Sequence, residues 1–159
     1  MQEGFTGEWK AFDELTVREL YDACVLRVAV FIVEQACAYA EIDGRDPDAL
    51  HFLLRDEAGR LAAYQRLFAP QGDGPARLGR IVVSPDFRGK RLGDFLIREG
   101  IAKAAALSPD APLCLSAQAH LERFYSAHGF TPVSDIYDED GIPHVDMRRQ
   151  PHSEPGAAA

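Results

Sequence analysis

The 159-residue sequence predicts a layered α+β domain, with helices packed on a sheet that contains antiparallel strands. Three observations carry this. Two strand-like runs, Leu50 to Arg55 and Leu61 to Phe68, flank the turn residues Asp56-Glu57-Ala58-Gly59, the pattern of a hairpin. The stretch from Leu92 to about Leu107 repeats apolar residues at helical spacing on two sides, with Leu92, Phe95 and Leu96 on one and Ile97, Ile101 and Ala104 on the other. A helix of that kind packs on a sheet and is itself covered. No internal repeat or second domain is visible, so residues 1–150 read as one domain and 151–159 as a disordered tail.

Along the chain, the first dozen residues lead into Thr16-Val17-Arg18-Glu19, a capping box that opens a helix carrying Leu20, Cys24, Val28 and Phe31 on one face. The β-branched Val30, Ile32 and Val33 blur its end, because their χ1 rotamers crowd the preceding turn. Glu41 to Asp48 is an acidic, turn-rich loop, exposed or lining a site. After the hairpin, Leu78 to Val83 forms a third strand that Ser84-Pro85 ends. Leu113 to Gln118 is a short strand, and His120 to His128 a short helix closed by Gly129 in a left-handed cap. Phe130 starts a further strand, and Val145 to Arg148 forms another, preceded by the turn residues Asp140-Gly141-Ile142-Pro143.

Composition narrows the classes of function. An apolar share of 47% and a charged share of 26% are those of an ordinary globular protein. No stretch approaches the roughly 20 apolar residues of a membrane helix, and Met1-Gln2-Glu3-Gly4 does not open a signal peptide, which makes the cytoplasm the expected location. Three scattered cysteines, Cys24, Cys37 and Cys114, suggest neither a disulfide framework nor a metal site. A net charge of −8 argues against nucleic acid or an anionic membrane as partner. Yet Arg77 to Lys103 carries seven basic residues against three acidic ones, a local excess that suits a small anionic ligand.

That excess centres on Arg88-Gly89-Lys90-Arg91-Leu92-Gly93, between a strand and the long helix. Backbone N–H groups left unpaired at a helix start, with basic side chains around them, make a cradle for phosphate or pyrophosphate. Neither the P-loop order nor the dinucleotide-binding glycine order is present, and a solvated strand-to-helix turn is the plain alternative.

The run from Ile81 through Val82, Val83 and Arg88 to Gly93 resembles the acyl-coenzyme A signature of the GNAT superfamily of N-acetyltransferases, Gln/Arg-x-x-Gly-x-Gly/Ala after a strand. Arg88 and Gly93 match, whereas Arg91 stands where the pattern most often has glycine; its amide is expected to serve at negative φ. Gln118, Leu121, Phe124, Tyr125, Gly129 and Phe130 resemble that family's later block. Arg27, Val30 to Gln35, Cys37, Tyr39, Glu41, Asp43-Gly44, Asp46, His51 and Gly141 to Val145 are similar to its ElaA group, with Ala38 where that group commonly has proline. The resemblance implies the GNAT fold: a mixed, mostly antiparallel central sheet split at the strand that feeds the glycine turn, flanked by helices.

It also implies acetyl-coenzyme A as co-substrate, with no metal. The amides of Arg88, Gly89, Lys90, Arg91, Leu92 and Gly93 would hold the pyrophosphate, the edge of Ile81, Val82 and Val83 would pair with pantetheine, and Gln118 and Tyr125 would complete the site. Tyr125 is the expected general acid for the departing thiolate, since a phenol with a pKa near ~10 stays protonated at neutral pH. For the base that frees the acceptor amine, the candidates are Glu34, His51 and His144, beside the acids Glu41 and Asp43. Each also has a plain reading: helix-end carboxylate, hydrogen-bonded strand histidines, solvated loop acids. Cys37 reads as a packing or site-lining thiol rather than an acyl relay. The expected activity is acyl transfer to a primary amine of a small molecule or peptide, possible in a homodimer. The alternative is a non-catalytic acyl-coenzyme A sensor.

Overall fold

The computed structural model describes residues 2–151, so all of the expected tail but Pro151 lies outside the described residues. The chain divides into two compact units, one joining the chain up to Phe68 with Arg80–Ile97, the other joining Ala69–Gly79 with the chain from Arg98 onward.

In the first unit, β1 (Phe5–Ala11) runs antiparallel to β2 (Leu50–Asp56), which pairs antiparallel with β3 (Leu61–Phe68). The hairpin turns where expected, with Gly59 at φ 83 and the Asp56 carboxylate accepting from the Arg60 amide at 2.8 Å. β1 has no clear alternation in sequence. It is a strand because Trp9 packs on Phe52 and because Gly7 leaves room for the Phe52 ring, which a Cβ would strike.

Strand alternation then sorts side chains onto two faces. Leu53, Tyr64 and Val82 meet Ala23, Leu26 and Val30. Phe52, Leu54 and Ala63, with Ile81 and Val83 beside them, meet Leu92, Phe95 and Leu96. The first set comes from α1 (Val17–Arg27) and its continuation, the second from the start of α2 (Leu92–Leu107).

The capping box is formed: the Glu19 amide donates to Thr16 Oγ1 at 3.1 Å and the Thr16 amide to Glu19 Oε2 at 2.9 Å. Beyond Arg27 the helix widens into a π-helical segment, Val28–Glu34. Its i→i+5 bonds run from the Gln35 amide to the Val30 carbonyl and from the Cys37 amide to the Ile32 carbonyl, both 3.1 Å. Four β-branched residues among seven oppose tight α packing, and Ala36 at φ 50 stops the segment.

β4 (Ala76–Val83) contributes residues to both units, and Arg80 stands within it at φ 53, a left-handed residue inside a strand. In the second unit the first residues of β4 run parallel to β5 (Leu113–Gln118) for two rungs, Ala76 with Leu113 and Arg77 with Cys114. β5 pairs antiparallel with β8 (Ile142–Arg149) over six, including Gln118 with His144. α3 (Glu122–Ser126) ends before Gly129 at φ 89, the expected left-handed cap.

β6 (Thr131–Pro132) and β7 (Tyr137–Glu139) both pair with β8. The turn expected over 140–143 is shorter: Asp140 at φ 52 and Gly141 at φ 84 make it, and Ile142 and Pro143 already belong to the strand. The hydrogen-bonded order is β1-β2-β3-β4-β5-β8-β6, a mixed sheet flanked by helices.

Candidate functional site

The basic turn is anchored at both ends. Phe87 and Leu92 are buried on the apolar cluster under β2 and β3, while Arg88 to Arg91 between them are exposed. The first intrahelical bond of α2 runs from the Phe95 amide to the Arg91 carbonyl at 3.3 Å, so the amides of Arg91, Leu92 and Gly93 precede the helical ladder. Gly89 is at φ 82, with open space where a Cβ would stand. The Lys90 ammonium lies over the Phe5 and Phe87 rings at 6.0 and 5.7 Å. Helix-start donors, a glycine without obstruction and exposed cations suit the diphosphate of a coenzyme A ester.

Arg91 corrects an expectation. Its φ is 59, not negative, so a left-handed backbone that glycine would adopt freely is built here with an arginine. The side chain points outward and is 89% exposed, 3.7 Å from Asp94. A left-handed residue at a helix start still turns its amide out of the ladder, so the arginine changes the strain of the turn rather than its donors.

Glu34 is not a free carboxylate. Arg88 donates to both of its oxygens, at 2.7 and 2.8 Å, and this bonding holds its carboxyl below the usual range. Such a group is a weaker base than an unpaired glutamate.

His51 is 1% exposed with both ring nitrogens engaged. Nε2 lies 2.9 Å from the Asp46 carbonyl, which only accepts, so Nε2 carries the proton. Nδ1, 2.6 Å from the Tyr64 hydroxyl, therefore accepts from it. Burial pushes the imidazole pKa down. This arrangement removes His51 from the groups able to take a proton from a bound amine and makes it a bolt between β2, β3 and the loop.

His144 is placed differently. Its Nδ1–H donates to the Ile142 carbonyl at 2.7 Å, leaving Nε2 as the basic nitrogen, 3.4 Å from Glu139 Oε2. The ring stacks on Tyr137 and retains some exposure. Gln118 is its register partner on β5. In α3, Tyr125 is buried against Phe124 and Phe130, and burial pushes its phenol up to about 12. Cys37 is buried.

The acidic loop is the feature that sequence reasoning missed. Glu41 and Asp43 read as solvated acids, but Glu41 and Asp46 are buried, Asp43 is half-buried, and all three lie among Arg27, Arg66 and Arg80. Arg27, fully buried, donates to Glu41 Oε2 at 2.8 Å, to Asp46 Oδ2 at 3.0 Å and to the Glu41 carbonyl at 3.1 Å. Arg66 reaches Asp43 at 2.6 and 3.0 Å and Asp46 at 2.8 Å. Arg80 reaches Glu41 at 2.8 Å and Asp43 at 3.4 Å, and the Tyr39 hydroxyl donates to Glu41 Oε1 at 2.7 Å. Hydrogen bonding from Arg66 holds the Asp43 carboxyl well below its ordinary value; for Asp46, burial acts upward but the bonds from Arg27 and Arg66 prevail. Three cations from α1, β3 and β4 thus neutralise three anions from one loop. The available signal was the presence of arginines in otherwise apolar segments.

The fold is a mixed sheet flanked by helices, of the α+β class, and comparison gives the family. Residues 17–151 match the acetyltransferase (GNAT) domain, and the chain belongs to that family. It is similar to Protein ElaA of Escherichia coli, at 43% identity over 150 residues covering 90% of this chain and 96% of the relative. A UPF0039 protein of Schizosaccharomyces pombe is 43% identical over 141 residues, covering 88% and 93%. Among solved structures, an acyl-CoA N-acyltransferase from Pseudomonas aeruginosa superposes with a TM-score of 0.87 at 42% identity, covering 91% of this chain and 99% of that one. The crystal structure of Escherichia coli ElaA gives 0.87 at 39%, covering 92% and 99%. Among the described residues no helix is long and apolar enough to cross a membrane, and no cluster of His, Cys, Asp or Glu has the makings of a metal site.

Proposed function

We propose that this chain transfers an acetyl group from acetyl-coenzyme A to a primary amine of a small molecule or peptide by direct attack. The observation that carries the reading is the turn from Arg88 to Arg91: exposed, basic and ahead of the α2 ladder. The turn amides and Lys90 hold the diphosphate, and the backbone of Ile81, Val82 and Val83 pairs with the amide groups of pantetheine.

Attack by the amine lone pair on the thioester carbon places charge on the carbonyl oxygen, where an N–H of Val82 or Val83 stabilises it. The C–S bond then breaks and the sulfur takes a proton from Tyr125, which burial keeps protonated. The acceptor, an ammonium in water, first loses a proton. Of the three candidate bases we assign this to His144 Nε2, directly or through water, since Glu34 is paired to Arg88 and His51 is sealed.

The test incubates the protein with acetyl-coenzyme A and a library of primary amines while free thiol is followed. Amine-dependent thiol release supports acyl transfer. Tight binding of coenzyme A with no release above background for any amine would identify an acyl-coenzyme A sensor instead.

A further inference from the structure

Arg80 combines two properties. Its backbone sits at φ 53 inside β4, immediately before Ile81-Val82-Val83, and its guanidinium is tied to Glu41 at 2.8 Å and Asp43 at 3.4 Å. A left-handed residue in a strand interrupts the alternation and re-aims the residues after it, and such kinks in non-glycine residues persist only where surrounding contacts enforce them. Here neighbouring side chains supply those contacts. Glu41 Oε2 is shared by Arg80 and the buried Arg27, Glu41 Oε1 accepts from Tyr39, and Asp43 is held on both oxygens by Arg66. The Arg80 guanidinium also lies over the Tyr39 ring at 5.7 Å. The carboxylates that hold Arg80 are thus fixed from α1 and β3, and a side-chain anchor sets a backbone kink next to the strand edge assigned to the acyl donor.

We infer that Arg80 is a positioning residue for acyl transfer: through Glu41 and Asp43 it holds the β4 kink that aims the backbone of Ile81, Val82 and Val83. This rests on the acetyl-coenzyme A reading, in which that backbone pairs with pantetheine and one of its N–H groups meets the thioester oxygen. The basic turn holds the diphosphate without Arg80. Loss of the anchor therefore affects the chemical step more than coenzyme affinity.

The test uses Arg80→Gly and Arg80→Lys. Glycine adopts φ 53 freely and lacks the anchor, so it separates the side chain's role from backbone strain; lysine keeps one cation for Glu41. Expected for Arg80→Gly are a kcat at least tenfold lower, a coenzyme A Kd within about threefold of wild type, and faster amide hydrogen exchange at Ile81 to Val83 in the ligand-free protein. Arg80→Lys should recover most of the kcat and the protection. Wild-type kcat and exchange in Arg80→Gly would overturn the inference, as would equal losses in kcat and affinity. Should Arg80→Gly fail to fold, Arg80→Asn, which tolerates the left-handed backbone but brings no cation to Glu41 and Asp43, takes its place: unchanged exchange at Ile81 to Val83 together with unchanged kcat would overturn it. If wild-type protein does not bind coenzyme A, the functional reading fails. The exchange comparison still decides whether Arg80 holds the strand.

Discussion

Arg88 grips Glu34 with both terminal nitrogens, at 2.7 and 2.8 Å, so the first residue of the basic turn is fastened to the last residue of the π-helical segment. A planar guanidinium facing a planar carboxylate fixes direction as well as distance. One consequence is chemical: the carboxylate that stood out as a candidate base is committed to holding the turn.

Glu34→Gln should therefore leave kcat within about tenfold of wild type, whereas removing a true general base costs on the order of 10²–10⁴. Steady-state rates across pH check this. Disappearance of the acidic limb of the kcat profile in the variant, with a loss beyond a hundredfold, would restore Glu34 as the base.

Arg91 sets up a stability test. At φ 59 a side chain is strained by about 1–2 kcal/mol, and glycine relieves that while adding about 0.5–1 kcal/mol of unfolded-state freedom. Arg91→Gly should thus equal or slightly exceed wild type in urea unfolding, and Arg91→Val should fall below it by about 1–2 kcal/mol. An Arg91→Gly variant less stable than Arg91→Val would contradict the strain.

His51 links stability to pH. Its folded pKa lies below 6.5, the ordinary value, because of burial, so the native state resists a proton that the unfolded chain accepts. Its contribution is complete above pH 6.5 and declines as pH falls from there toward the folded value. His51→Asn should lose about 1–3 kcal/mol at pH 7.5, since the Tyr64 hydroxyl loses its acceptor, and should show a shallower decline between pH 7 and 5.5. Urea midpoints at several pH values measure both; an unchanged slope would mean that His51 titrates normally.

Tyr125→Phe should lower kcat by about 10² or more while coenzyme A affinity and Tm stay close to wild type, because only the hydroxyl is removed from a ring packed on Phe124 and Phe130. With the phenol pushed up to about 12, no loss of rate from its ionisation is expected below about pH 11. Wild-type kcat in the variant would give the proton to another donor.

Much of the fold was legible because it is local. The Thr16–Glu19 box, the Gly59 hairpin turn, the Pro85 stop and the apolar period of α2 each announce themselves within a few residues. β1 was not, because its strand character comes from pairing with β2 and from the space Gly7 gives the Phe52 ring. β7 was hidden for the same reason, having only three residues and a partner across a turn. The exposed basic turn was visible as a residue pattern. The fates of Glu34 and His51 were not, since Arg88 and Tyr64 lie 54 and 13 positions away and only folding brings them together. The ionic network was invisible for a like reason: each of its arginines stands in a mostly apolar stretch, and its acids by themselves look like a solvated loop.

That network changes what the segment from Tyr39 to Asp46 can be. To swing it aside would part three arginines from three buried or half-buried carboxylates in one event, stranding charges away from water. A segment bound in that way is masonry rather than a door: it keeps the shape it already has and braces β4 at Arg80.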